Sequence, residues 1–70
     1  MKNYAIAYLN MNGNGFSITE PYIHDNINSY EDGKLEVENM KDCGFRQVTL
    51  FEYDELPEFI TWNFVTEHKV

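Results

Sequence analysis

Two consecutive Asn-Gly pairs, Asn12-Gly13-Asn14-Gly15, separate two short alternating stretches near the start of this 70-residue chain. Asn-Gly supplies two residues that tolerate positive φ, the requirement of a tight hairpin turn. Before it, residues 3–11 place Tyr4, Ile6 and Tyr8 on one side and Ala5, Ala7, Leu9 and Met11 on the other. A period of two with apolar residues on both sides reads as a central strand. After it, residues 16–20 alternate Phe16 and Ile18 with Ser17 and Thr19 and read as the return strand. Pro21 cannot donate a ladder hydrogen bond and marks an edge or an end.

Residues 22–28, rich in Asn and Asp, read as a loop holding His24. Ser29 then has the character of a helix N-cap, with Glu31 and Asp32 in the first turn, where the dipole favours acids. Gly33, Val37, Met40 and Gly44 fall at helical spacing, and Gly44 suits the residue after the cap. The pattern predicts a helix over 30–43. A rival pattern has Asp32-Gly33 as a hairpin turn and Leu35 to Glu38 as a strand; the capping signals at both ends favour the helix.

Residues 45–53 alternate again and predict a third strand. Asp54-Glu55-Leu56-Pro57 breaks it. Residues 59–65, with Ile60, Trp62 and Phe64 on one side, read as a fourth strand, and 66–70 as a frayed tail. The expectation is one α+β domain over 1–70, a four-stranded, mainly antiparallel sheet with one helix, in the order β-β-α-β-β.

A chain this short buries a modest share of its surface, and one core of this size rarely supplies more than about 3–5 kcal/mol. Cys43 is the single cysteine, so no disulfide can form within the chain, and a lone thiol fits a reducing compartment. There is no apolar run of membrane-spanning length and no basic, apolar leader, so a cytoplasmic protein is expected. One helix covers one face of a sheet, yet the first, third and fourth strands carry apolar residues on both. The second face would then be partly exposed or covered by another chain, and a homodimer or an obligate partner is expected.

Charge and aromatics give the functional expectation. Between residues 31 and 58 nine acids face three bases, a net of −6 out of the chain's formal −7. Glu31, Asp32, Glu36 and Glu38 fall on the helix; Glu52, Asp54, Glu55 and Glu58 fall around the turn after the third strand. If the fold brings them together they form one acidic ridge, with Tyr53 and Trp62 as aromatic anchors inside a charged rim. Such a surface repels nucleic acid and suits a protein with a basic surface. The plainer reading is a solvated face that keeps an aromatic-rich domain soluble. The five bases, Lys2, Lys34, Lys41, Arg46 and Lys69, are scattered and form no nucleic-acid patch.

Nothing in the chain carries a catalytic signature. His24, Asp25 and Cys43 match no metal-ligand spacing. Cys43 falls at the C-terminal end of the helix, whereas reactive thiolates are favoured at N-termini. The paired carboxylates have no evident pocket in which to face each other. No metal, cofactor or enzymatic activity is expected.

In length, charge, Asn/Asp/Tyr/Phe-rich composition and single-domain layout, the chain resembles the short acidic proteins of bacteriophages and mobile elements that block host defence enzymes. The resemblance implies an inhibitor that binds a host protein stoichiometrically in the host cytoplasm, commonly as a dimer. The alternative is a self-assembling accessory or structural subunit.

Overall fold

The computed structural model describes residues 3–9 and 21–70. Five elements follow one another: β1 (Asn3–Leu9), β2 (Tyr22–Ile27), α1 (Tyr30–Asp42), β3 (Arg46–Tyr53) and α2 (Trp62–His68). The strands form one antiparallel sheet in the order β2-β1-β3. The α+β class holds, but the expected four-stranded sheet with one helix is replaced by three strands and two helices.

The central position of β1 explains its two apolar faces. Ala5, Ile6 and Ala7 are fully buried, Ile6 toward one face and the two alanines toward the other. Both outer strands run antiparallel to β1 and hence parallel to each other. Parallel strands need a crossover rather than a hairpin, and α1 provides it, carrying the chain from β2 on one edge to β3 on the other.

The capping signals of α1 act as the sequence indicates. Ser29 Oγ accepts a hydrogen bond from the Asp32 amide at 3.1 Å. At the other end Gly44 takes φ 98°, its amide donates to Lys41 O and the Phe45 amide donates to Met40 O. This pair of bonds closes the last carbonyls of the helix and needs a residue free to adopt positive φ. The rival hairpin at Asp32-Gly33 does not form. Gly33, costly in a helix by itself, is buried where α1 meets the sheet: a Cβ built there would lie 2.6 Å from Leu50 Cδ1 and 3.3 Å from Ile27 Cγ2.

The second expectation to fall is the loop at 22–28. Residues 22–27 are β2, paired with β1 so that Ala7 opposes Ile23 and Tyr8 opposes Tyr22. His24 is therefore a half-buried strand residue opposite Ile6, not an exposed loop histidine. The Asn-Gly turn and the expected return strand at 16–20 lie outside the described residues. Both outer strands slip in register against β1, between Tyr4 and Ile6 on the β2 side and between Ala7 and Leu9 on the β3 side. On β3 the extra residue coincides with Gln47 at φ 52°, the left-handed conformation of a bulge position usually given to glycine.

The third correction concerns the chain's end. The expected fourth strand is instead an irregular segment leading into α2, whose N-cap is Thr61, its side chain accepting from the Phe64 amide at 3.3 Å. Trp62 and Val65 are three apart and Phe64 and His68 four apart, the spacing of one helical face. Phe64 and His68 stack with ring centroids 4.1 Å apart, and His68 Nδ1 lies 2.9 Å from Phe64 O. Of the stretch read as a tail, residues 66–68 complete α2, Lys69 bridges Phe51, and the Val70 amide donates to Leu50 O at 3.2 Å.

The core therefore has two halves. On one face α1 covers Ile6, Leu50 and Met40, with Tyr4, Tyr8, Ile27, Val37, Phe45 and Val48 around them. On the other, α2 and the segment before it cover Ala5, Ala7 and Phe51 with Val65, Ile60, Leu56, Trp62 and Phe64. The second face, which a single helix would have left uncovered, carries α2 and the segment before it.

Candidate protein-binding surface

Topology decides where the acids meet. Tyr4, near the start of β1, opposes Ile27 at the end of β2 and Glu52 near the end of β3. Helix α1 begins three residues after Ile27, and the Tyr30 ring packs 6.3 Å from the Tyr4 ring. The start of α1 and the end of β3 thus share one end of the sheet. Glu31 and Asp32 sit there from the helix, and Glu52, Asp54 and Glu55 from the strand and the segment leaving it. Asn3 ties that segment down, its Nδ2 donating to Asp54 O at 3.5 Å.

The fold thus gathers five of the eight acids singled out from the sequence at one end. Glu31, Asp32, Asp54 and Glu55 are exposed; Glu52 is half-buried and engaged in a contact of its own. Glu36 and Glu38 lie further along α1, away from this end. Glu58 lies in the irregular segment before α2. Repulsion among these carboxylates is offset for Glu31 and Asp32 by the positive end of the helix dipole.

The two aromatic anchors are placed differently. Tyr53 and Trp62 both pack against the α2-side core, on the face opposite α1. Tyr53 lies 6.0 Å from the Phe51 ring, and the Trp62 indole Nε1 is buried without a hydrogen-bond partner among the described residues. Both are half-buried and pack against the second core half. The exposed aromatics are others: Tyr30 is 42% exposed beside Glu31 and Asp32, and Phe59 is 71% exposed next to Glu58. Sequence reasoning assigned Phe59 to the start of the fourth strand. The signal that finds it is Pro57, which leaves Glu58-Phe59 in irregular backbone outside any ladder.

Among the described residues no group of three His, Cys, Asp or Glu side chains could hold a metal ion. Cys43 is exposed at the C-cap of α1, and His24 is on β2. Among the described residues, no helix is long and apolar enough to cross a membrane. Comparison with protein family models, curated proteins and solved structures finds no match for this chain.

Proposed function

We propose that this chain is a small acidic binding module that acts by stoichiometric attachment to a basic surface on another protein, without catalysis. The observation that supports this reading is that Glu31, Asp32, Asp54 and Glu55 are all exposed at the same end of the sheet, with Tyr30 exposed next to Glu31. Tyr30, whose ring also carries Lys34 Nζ at 5.4 Å from its centroid, offers apolar contact beside carboxylates that steer toward the opposite charge. Phe59 and Glu58, in the segment that leaves this end, add a second aromatic with its own acid. The partner class we favour is a host defence or nucleic-acid-handling protein of a bacterial cell, whose basic groove accepts carboxylates in place of phosphates. This finer reading rests on the resemblance to phage and mobile-element inhibitors.

The test is affinity capture from bacterial lysate with two baits, the natural chain and a variant carrying Glu31→Lys, Asp32→Lys, Asp54→Lys and Glu55→Lys. The reading expects a basic protein held in stoichiometric amount by the first bait and lost from the second. It also expects release between about 0.15 M and 1 M salt, where the screening length falls from about 8 Å to about 3 Å. A protein retained equally by both baits would remove the acidic end from the account.

A second reading is favoured by one observation. Among the described residues no strand pairs with the outer edge of β2, and Tyr22 on that strand is exposed. Edge pairing between two copies would make a self-assembling subunit or a dimeric inhibitor. Light scattering at micromolar concentration decides it: a dimer that persists in high salt supports the edge, and a monomer excludes it.

A further inference from the structure

The bases that look scattered in the sequence do not stay scattered in the fold. Tyr30, Lys34, Val37, Glu38 and Lys41 follow helical spacing and form one stripe of α1. That stripe faces Val48, Thr49 and Leu50 of β3 and the terminal Lys69 and Val70 across an open groove of about 340 Å³. Three of the chain's five bases line it, against two carboxylates, the Glu38 side chain and the main-chain carboxylate of Val70. Lys34 Nζ sits over the Tyr30 ring, 5.4 Å from its centroid. No ion pair ties Lys34, Lys41 or Lys69 to a carboxylate among the described residues. In a chain of twelve acids and five bases, three unpaired ammonium groups around one apolar-floored groove are a local reversal of charge.

We propose that this groove binds a small organic carboxylate with an aliphatic or aromatic body. The ammonium groups take the carboxylate, and Val37, Val48, Leu50 and Val70 take the apolar arm. Charge complementarity selects an anion. The apolar floor selects against inorganic anions, which have nothing to place on it. The volume falls at the small end of small-molecule pockets, about 300–1,000 Å³, which fits a small molecule better than a folded partner. The groove shares Tyr30 with the acidic end of the sheet, but its ammonium groups and apolar floor lie outside that end.

Titration of the full chain with sodium decanoate, followed by amide NMR shifts, tests the assignment. The expected result is saturable shifts centred on Val37, Val48, Leu50 and Val70, with a Kd at or below about 1 mM. Acetate, which has the charge without the arm, and decyltrimethylammonium, which has the arm with the opposite charge, produce no saturable shift at these residues. The variant Lys34→Gln/Lys41→Gln/Lys69→Gln weakens decanoate binding at least about tenfold, a loss of the size set by charged contacts. Arg46→Gln, which removes a base outside the groove, leaves it unchanged. If the triple variant loses its dispersed spectrum, Lys69→Gln alone takes its place, with a smaller loss expected. The proposal is overturned by shifts that do not saturate or that spread over the whole chain. Equal response to decyltrimethylammonium, binding that ignores the lysine substitutions, or saturation of the same residues only by an acidic peptide overturns it too.

Discussion

The two faces of the sheet solve the same packing problem differently at the central strand. On the α1 face the sheet supplies the bulk, Ile6 and Leu50, and the helix gives way with Gly33, whose missing Cβ lets the backbone approach Leu50. On the α2 face β1 gives way with Ala5 and Ala7, β3 supplies the fully buried Phe51, and the covering segment adds Val65, Phe64, Trp62 and Ile60. Small residues thus mark where each helix meets β1 and its neighbours, but on opposite partners. The lesson is that the thirteen-residue α1 and the seven-residue α2 are comparable structural supports, because each closes one face of a sheet that is buried at its centre on both.

If the comparison is right, removing bulk from either face should cost a similar amount. Phe51 is fully buried toward α2 and Leu50 nearly so toward α1. Phe51→Ala is expected to lose about 3–5 kcal/mol and Leu50→Ala about 2–5 kcal/mol. Against a total of about 3–5 kcal/mol for a chain of this size, Phe51→Ala leaves the protein mostly unfolded at room temperature. Urea denaturation followed by tryptophan fluorescence reads both. A cooperative, near-natural transition in Phe51→Ala would show that the α2 face contributes little.

Filling the small positions tests the same symmetry at a smaller scale. Ala7→Val and Gly33→Val each force bulk into a closed contact and should cost about 1–3 kcal/mol. Gly33→Ala should cost less than Gly33→Val, since it recovers about 1 kcal/mol of helix propensity. Thermal unfolding by circular dichroism gives the order. If Gly33→Ala proves more stable than the natural chain, the close approach of α1 to Leu50 is not a constraint.

The caps come next. Ser29→Ala and Thr61→Ala each remove one side-chain acceptor from a helix start. Each should lose about 1 kcal/mol. Equal losses fit two helices folding with one core, whereas no loss at Thr61 would mark α2 as dispensable. Smallest of all, the four charge reversals at Glu31, Asp32, Asp54 and Glu55 should change stability by no more than about 1 kcal/mol, since they touch exposed side chains. A larger loss would mean these acids hold the fold rather than meet a partner.

The α1 side was legible because its signals are local. Ser29, Asp32 and Gly44 announce a helix through their own capping bonds, and β1 and β3 announce themselves by period two. The α2 side was not legible because a seven-residue helix shows barely two turns. Over that length Ile60, Trp62 and Phe64 satisfy period two, while Trp62 and Val65, or Phe64 and His68, satisfy the helix equally well. Thr61 as a cap was the available cue. β2 was missed for the opposite reason: Tyr22 to Ile27 carries His, Asp and Asn on an edge strand with a register slip, so its composition resembles a loop. At the site, the acids were visible but their meeting was not, because it follows from β3 lying beside β1, which period two does not determine. The lysine groove was hidden for the same reason, since Lys69 comes from the far end of the chain.

Amide hydrogen exchange of Val65 set against Met40 tests most directly whether α2 is a full partner in the fold. Both side chains are buried, one in each half of the core, and the Val65 amide is bonded to Thr61 O at 3.1 Å. The account predicts that both amides exchange only through global unfolding, with protection equal to the stability measured in urea. Exchange of the Val65 amide at a rate near that of an unstructured chain, with the Met40 amide still protected, would contradict it.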